Sequence, residues 1–116
     1  MQNFDFFSAS TVEEGLDYLF ERQEQCRVIA GGTDLIPLLR TQETCPDHVL
    51  DILNVEALRG IAEEGDRIRI GPTTTFTEIM DSDLLQRTVP LLVQAASSVG
   101  APQIRNRGTV GGNIAT

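Results

Sequence analysis

The sequence predicts a fold of mixed helices and strands, and three observations predict it. A β-branched run closing on two glycines is followed by a helix start and a second short strand, between Cys26 and Ile52. Two strand-like runs flank the acidic turn Glu63-Glu64-Gly65-Asp66. Capping boxes and a proline-led apolar stripe mark helices in both halves of the chain.

In chain order, Ser10 and Thr11 are each followed three residues later by Glu13 and Glu14, a doubled capping-box signature. Val12, Leu16, Leu19 and Phe20 then recur at helical spacing, so a helix is expected over Val12 to Gln23 with those side chains on its apolar face. Cys26 to Ala30 reads as a buried strand that Gly31-Gly32 end. A second helix is expected from Asp34 as N-cap, with Pro37 in its first turn, where a missing N–H loses no intrahelical partner, and Leu35, Leu38 and Leu39 on one face. Thr41 to Asp47 reads as loop and Val49 to Ile52 as a strand, a β-loop-α-β unit that normally makes its strands parallel.

Leu58 to Ala62 and Arg67 to Gly71 read as the arms of a hairpin, with Ile68 and Ile70 inward and Arg67 and Arg69 in solvent. Thr75 with Glu78 opens a short helix presenting Phe76, Ile79 and Met80. Pro90 leads a further helix whose stripe of Leu91, Leu92, Ala95, Ala96 and Val99 runs to Gly100, placed as its C′ residue. Ala101 to Asn113 has neither the helical nor the strand period and reads as loop.

Composition narrows the function. Seventeen acidic against nine basic side chains leave a net charge of -8 without a basic cluster, which excludes a nucleic-acid groove as the leading reading. The apolar runs are a few residues long, against roughly 20 for a bilayer span, and Met1 to Asp5 carries no signal-peptide pattern, so a cytoplasmic protein is expected. Cys26 and Cys45 lack paired spacing, and His48, beside Pro46 and Asp47, reads as a surface residue, so no metal site is expected. No Ser–His–Asp set, nucleophile elbow or paired acid–base carboxylates can be assembled, and no catalytic residue is assigned.

Two double glycines remain, in Ala30-Gly31-Gly32-Thr33-Asp34-Leu35 and Thr109-Val110-Gly111-Gly112-Asn113. Main chain without Cβ atoms admits a large ligand closely and can aim successive N–H groups at one anion. At the first, a helix N-terminus would add a partial positive charge and Thr33 a hydroxyl, while Asp34 serves mainly to hold the turn. The same glycines also suit a tight connection with no ligand at all, and neither the G-x-G-x-x-G nor the G-x-x-x-x-G-K-[ST] spacing is present.

Taken in order, the two segments Ala30 to Leu35 and Ile104-Arg105-Asn106-Arg107-Gly108-Thr109-Val110-Gly111-Gly112-Asn113-Ile114 resemble the two flavin-binding loops of the FAD-binding domain, or medium subunit, of the xanthine dehydrogenase and carbon monoxide dehydrogenase family of molybdopterin dehydrogenases. Phe4-Asp5-Phe6, Ile70 to Thr75 and Pro90-Leu91-Leu92 extend the resemblance over essentially the whole chain.

The resemblance implies an α+β, two-subdomain flavoprotein fold: a small α/β subdomain over residues 1–55, then over 56–116 the start of a larger one built on an antiparallel sheet. FAD would lie with its pyrophosphate on the main chain of Ala30, Gly31, Gly32, Thr33 and Asp34 and of Thr109, Gly111, Gly112 and Asn113, with Leu35 close by. Arg105 and Arg107 could face phosphate or equally clamp carbonyls or a partner.

Molybdopterin and 2Fe-2S clusters are implied on partner subunits, with electrons passing through FAD to NAD or another acceptor. The family domain continues well beyond the length seen here, so the resemblance marks the chain as an N-terminal part that alone binds FAD poorly or not at all. An interaction module that self-associates through an incomplete sheet edge, and a non-redox nucleotide- or anion-binding domain, are the alternatives.

Overall fold

The computed structural model describes residues 4–31 and 46–115, which group into two compact units, Met1–Ala57 and Leu58–Thr116. The architecture is α+β. The predicted helix from Asp34 and most of the loop after it lie outside the described residues, as does Cys45.

The first unit is a three-stranded parallel sheet in the order β1-β3-β2, made of β1 (Asp5–Ser8), β2 (Cys26–Ile29) and β3 (His48–Asp51). Both pairings are in full register, with Cys26 and Asp5 opposite His48 and with Ile29 and Ser8 opposite Asp51. The parallel β2–β3 pair expected of the β-loop-α-β unit is present; β1, read only as a segment of the resemblance, joins it on the far side of β3. As the central strand, β3 buries Val49 and Leu50, with Phe4 and Ile29 packed on Val49.

Helix α1 (Val12–Arg22) begins where the sequence places it. Of the doubled capping signature the chain uses Thr11 with Glu14: the Glu14 amide donates to Thr11 Oγ1 at 3.1 Å, and the Thr11 amide to Glu14 Oε1 at 3.1 Å. Its inward face differs from the one expected. Gly15 is the buried residue, its Cβ position 3.8 Å from both Ala9 and Leu50, so the helix lies close on the sheet through Gly15, Tyr18 and Leu19. Leu16 and Phe20 are thereby turned outward to 59% and 78% exposure.

His48 is also not the surface turn residue expected; it starts β3 half-buried, 3.4 Å from the Tyr18 hydroxyl and 3.6 Å from Asp5 Oδ2. Asp47 is a bend just before it, and pairing on both sides draws the next residue into the sheet.

The second unit opens with the hairpin of β4 (Ile61–Glu64) and β5 (Arg67–Ile70), antiparallel with Glu64 opposite Arg67. The expected four-residue turn tightens to Gly65-Asp66, with Gly65 at φ 62°, where a II′ hairpin turn puts glycine. Ile68 and Ile70 face inward and Arg67 and Arg69 outward, as alternation requires.

Helices α2 (Phe76–Met80), α3 (Asp83–Thr88) and α4 (Pro90–Ser97) pack on this hairpin around Phe76, Ile79, Leu85 and Ala96. Helix α4 stops at Ser97 with Ser98 as its cap, so Gly100, placed as C′ from the sequence, falls one residue further out, at φ 49°. The segment read as loop forms two short helices, α5 (Pro102–Arg107) and α6 (Val110–Ala115). Pro102 starts α5, and Thr109 accepts the Gly112 amide at 3.1 Å at the head of α6. Six-residue helices with no apolar stripe leave no period to read; neighbours in the unit hold them.

Candidate functional site

The second double glycine is built from Pro72 to Phe76 and Gly108 to Asn113. Thr75 and Thr109 form an antiparallel bridge, in which the Phe76 amide donates to the Gly108 carbonyl at 3.1 Å and the Val110 amide to the Thr74 carbonyl at 3.0 Å. The Gly111 amide then donates to the Pro72 carbonyl at 2.8 Å, the Gly112 amide to Thr109 Oγ1, and the Asn113 amide to the Thr109 carbonyl at 3.0 Å.

Three of the N–H groups that the glycine pattern offers to an anion therefore have acceptors in the chain itself. Glycine is needed at 111 because a Cβ there would stand 2.8 Å from Pro72 Cβ and 2.9 Å from its carbonyl oxygen. Gly111 is half-buried, whereas Gly112 and Asn113 are exposed and Thr109 is buried.

Behind this loop, threonines replace apolar packing. Thr73 donates to the Leu58 carbonyl at 2.9 Å; Thr74 accepts the Gly60 amide at 3.0 Å and donates to the Gly60 carbonyl at 3.3 Å. Both are fully buried and both are satisfied, which is what burial of a hydroxyl demands.

Gly71 fits here only without a side chain, since a Cβ would overlap the Leu58 carbonyl. Thr75 forms its predicted capping box with Glu78, and Glu78 also pairs with Arg59 at 2.8 Å. Burial pushes the Glu78 carboxyl up, but the Arg59 hydrogen bond, the Thr75 contacts and the Arg59 charge outweigh it and hold the group below the usual carboxylate value. The hydrogen bond to Glu78 and its charge raise Arg59 further.

Sequence reasoning foresaw the box but not the arginine, 19 residues away in the chain. Arg105 acts as a clamp, donating to the carbonyls of Val99 at 3.2 Å and Gly100 at 2.7 Å. Those carbonyls lie just past the end of α4.

Of the first double glycine, Ala30 and Gly31 are described, half-buried and buried, directly after β2 at the carboxyl end of the parallel sheet; Gly32, Thr33, Asp34 and Leu35 lie outside the described residues. Ligands of open parallel sheets gather at that edge. It carries residues not singled out from the sequence. Asp51 accepts the Ser8 hydroxyl at 3.1 Å and the Leu53 amide at 3.0 Å, and Asn54 donates to Ser8 at 3.4 Å. Only the register that aligns the ends of β1 and β3 brings Ser8 and Asp51 together.

At the opposite edge, Cys26 is a half-buried free thiol whose burial pushes its pKa up, against a backbone hydrogen bond at Leu50 and the Arg22 charge. That suits a small packed side chain and not a reactive one. Among the described residues no cluster of three or more His, Cys, Asp or Glu side chains is disposed to hold a metal, and no helix is long and apolar enough to cross a membrane.

The family described as the FAD binding domain in molybdopterin dehydrogenase matches residues 2–116. The carbon monoxide dehydrogenase medium chain of Hydrogenophaga pseudoflava is 37% identical over 112 residues, covering 97% of this chain and 39% of that one. The xanthine dehydrogenase FAD-binding subunit of Escherichia coli O157:H7 is 43% identical over 116 residues, covering 96% and 39%. In structure, the carbon monoxide dehydrogenase of H. pseudoflava lacking the Mo-pyranopterin moiety of its molybdenum cofactor superposes with a TM-score of 0.96 at 36% identity, covering 98% of this chain and 40% of that one. The chain thus spans about two fifths of the length of the relatives it matches.

Proposed function

The chain belongs to the family of FAD-binding domains in molybdopterin dehydrogenases, and from that premise we propose that its protein is the flavin-carrying component of a molybdenum-containing dehydrogenase or hydroxylase. The observation that carries this reading is the family match over residues 2–116. In it, an iron–sulfur subunit and a molybdopterin-binding subunit are its partners in the cytoplasm, and residues 1–55 and 56–116 are the small α/β subdomain and the start of the second. Electrons reach the bound flavin from the iron–sulfur clusters, and NAD or another acceptor takes them; this redox chemistry is the cofactor's.

The residues present fit a dinucleotide in two respects. A buried glycine stands at the carboxyl end of β2, and an exposed glycine and asparagine stand at the head of α6. We assign the pyrophosphate to Ala30, Gly31, Gly32, Thr33 and Asp34, with Leu35 beside it, and to Thr109, Gly111, Gly112 and Asn113.

Within the second group the chain's own bonding divides the labour. Gly111 and Thr109 shape the loop through Pro72 and the Gly112 amide, while Asn113, exposed beside them, offers a side-chain amide. A net charge of -8 gives no long-range attraction for a diphosphate, so binding relies on such short-range dipoles.

The test is the cofactor content of the full-length protein purified with its subunits. About one FAD released per chain on denaturation is the expected result. A folded full-length protein that carries no flavin and takes up none when FAD is added overturns the proposal.

A further inference from the structure

Helix α1 has a second face that the parallel sheet does not use. Glu13, Leu16, Asp17, Phe20 and Glu21 recur at the spacing of one helical stripe, and all five are exposed. A single exposed apolar side chain is ordinary, but here a leucine and a phenylalanine sit one turn apart at 59% and 78% exposure, flanked by three carboxylates.

Grooves border this ridge. One, of about 350 Å³, has Phe7 and Tyr18 among its lining, with Glu14, Asp17 and Glu21. The other, of about 400 Å³, runs beside Phe20, Gln23, Gln25 and His48. Phe7 and Tyr18 stack with centroids 4.8 Å apart. The chain's own Arg22 lies 3.9 Å from the centroid of the Tyr18 ring and 3.0 Å from Glu21, so this surface already holds one guanidinium between an aromatic face and a carboxylate.

We propose that the outer face of α1 docks another subunit of the assembly, through an apolar pocket for Leu16 and Phe20 rimmed by arginine or lysine side chains. The choice of a basic rim follows from the charges: Glu13, Asp17 and Glu21 would oppose their own copies in a second chain and would oppose an anionic lipid surface. An aromatic anchor with a charged border is the arrangement in which a few residues carry most of an interface's affinity. The inference rests on the multi-subunit reading above.

The experiment uses the full-length protein co-expressed with its partner subunits, with a photo-crosslinking amino acid at position 20 and, separately, Phe20→Glu, Leu16→Glu and the pair Asp17→Lys with Glu21→Lys. The expected results are a crosslink to another polypeptide at a segment rich in Arg or Lys, and at least about a tenfold loss of subunit association for Phe20→Glu and for the charge-reversed pair. Circular dichroism of each variant, matched to the wild type, establishes that it folds.

A crosslink within the same chain or to a second copy overturns the proposal, and so does an assembly indifferent to both variants. Flavin content read on the same samples separates the two ideas: a flavin-loaded complex indifferent to Phe20→Glu sinks the docking face alone. A flavin-free complex that still responds sinks the cofactor reading alone.

Discussion

Replacing Gly111 with alanine separates two reasons for a double glycine at the head of α6. A methyl group there would lie 2.8 Å from Pro72 Cβ and 2.9 Å from the Pro72 oxygen, where ordinary contact begins at 3.4 Å. The loop must open by roughly half an ångström or more, and overpacking of that kind costs about 1–3 kcal/mol. The opening also stretches the 2.8 Å bond from the Gly111 amide to Pro72, about 1 kcal/mol more.

Alanine's better helix propensity offsets about 1 kcal/mol of this, leaving a net loss of about 1–3 kcal/mol. At about 2–4 °C per kcal/mol for a chain of 150–250 residues, thermal unfolding of the flavin-free full-length protein should shift down by about 2–12 °C. Gly112→Ala is the comparison, because its methyl meets only the Thr109 hydroxyl at 2.9 Å, a side chain that can rotate away at the loss of one cap. It should shift less. If both flavin-free variants unfold with the wild type while flavin affinity collapses, the glycines serve the ligand alone and the packing argument is wrong.

Glu78 sits below the carboxylate value of 4.5 in the fold, so its contribution to stability is complete above that value and fades as pH falls through the lower folded one. Urea unfolding at about pH 6 and about pH 3.5 should therefore show a smaller acid loss for Glu78→Gln than for wild type, and equal losses would refute the assignment. Thr74→Val removes both hydroxyl bonds to Gly60 inside the second unit and should cost about 1–3 kcal/mol by denaturant midpoint; an unchanged midpoint would show those bonds to be neutral. Gly65 has φ 62° with nothing within 4 Å of its Cβ position, so only the backbone objects. Gly65→Val should cost about 1–2 kcal/mol and Gly65→Asn less, an order that calorimetry would reverse if side-chain packing governed the turn.

Much of the fold was legible because it is local. The boxes at Thr11–Glu14 and Thr75–Glu78, the parallel β2–β3 pair and the alternation of β5 are short-range patterns, and each survives into the structure. For the site, the sequence singled out Thr109 to Asn113 but read the glycines there as aiming amides at a ligand; the donors of Gly111 and Gly112 are engaged by Pro72 and Thr109. The Pro72 partner comes from 39 residues earlier in the chain, a contact that no spacing rule encodes.

What the sequence determined by itself was the family, the mixed class and the starts of its longer helices at Val12 and Pro90, since caps, turns and motif order are written in neighbouring residues. Tertiary structure decided which face of α1 is buried, because Gly15 allows closer approach to Ala9 and Leu50 than the larger Leu16 or Phe20 could. It also folded 102–115 into α5 and α6, whose six residues each are too few to hold a helix without outside partners. Those partners are supplied by the bridge to Thr75, the Pro72 carbonyl and the Arg105 clamp.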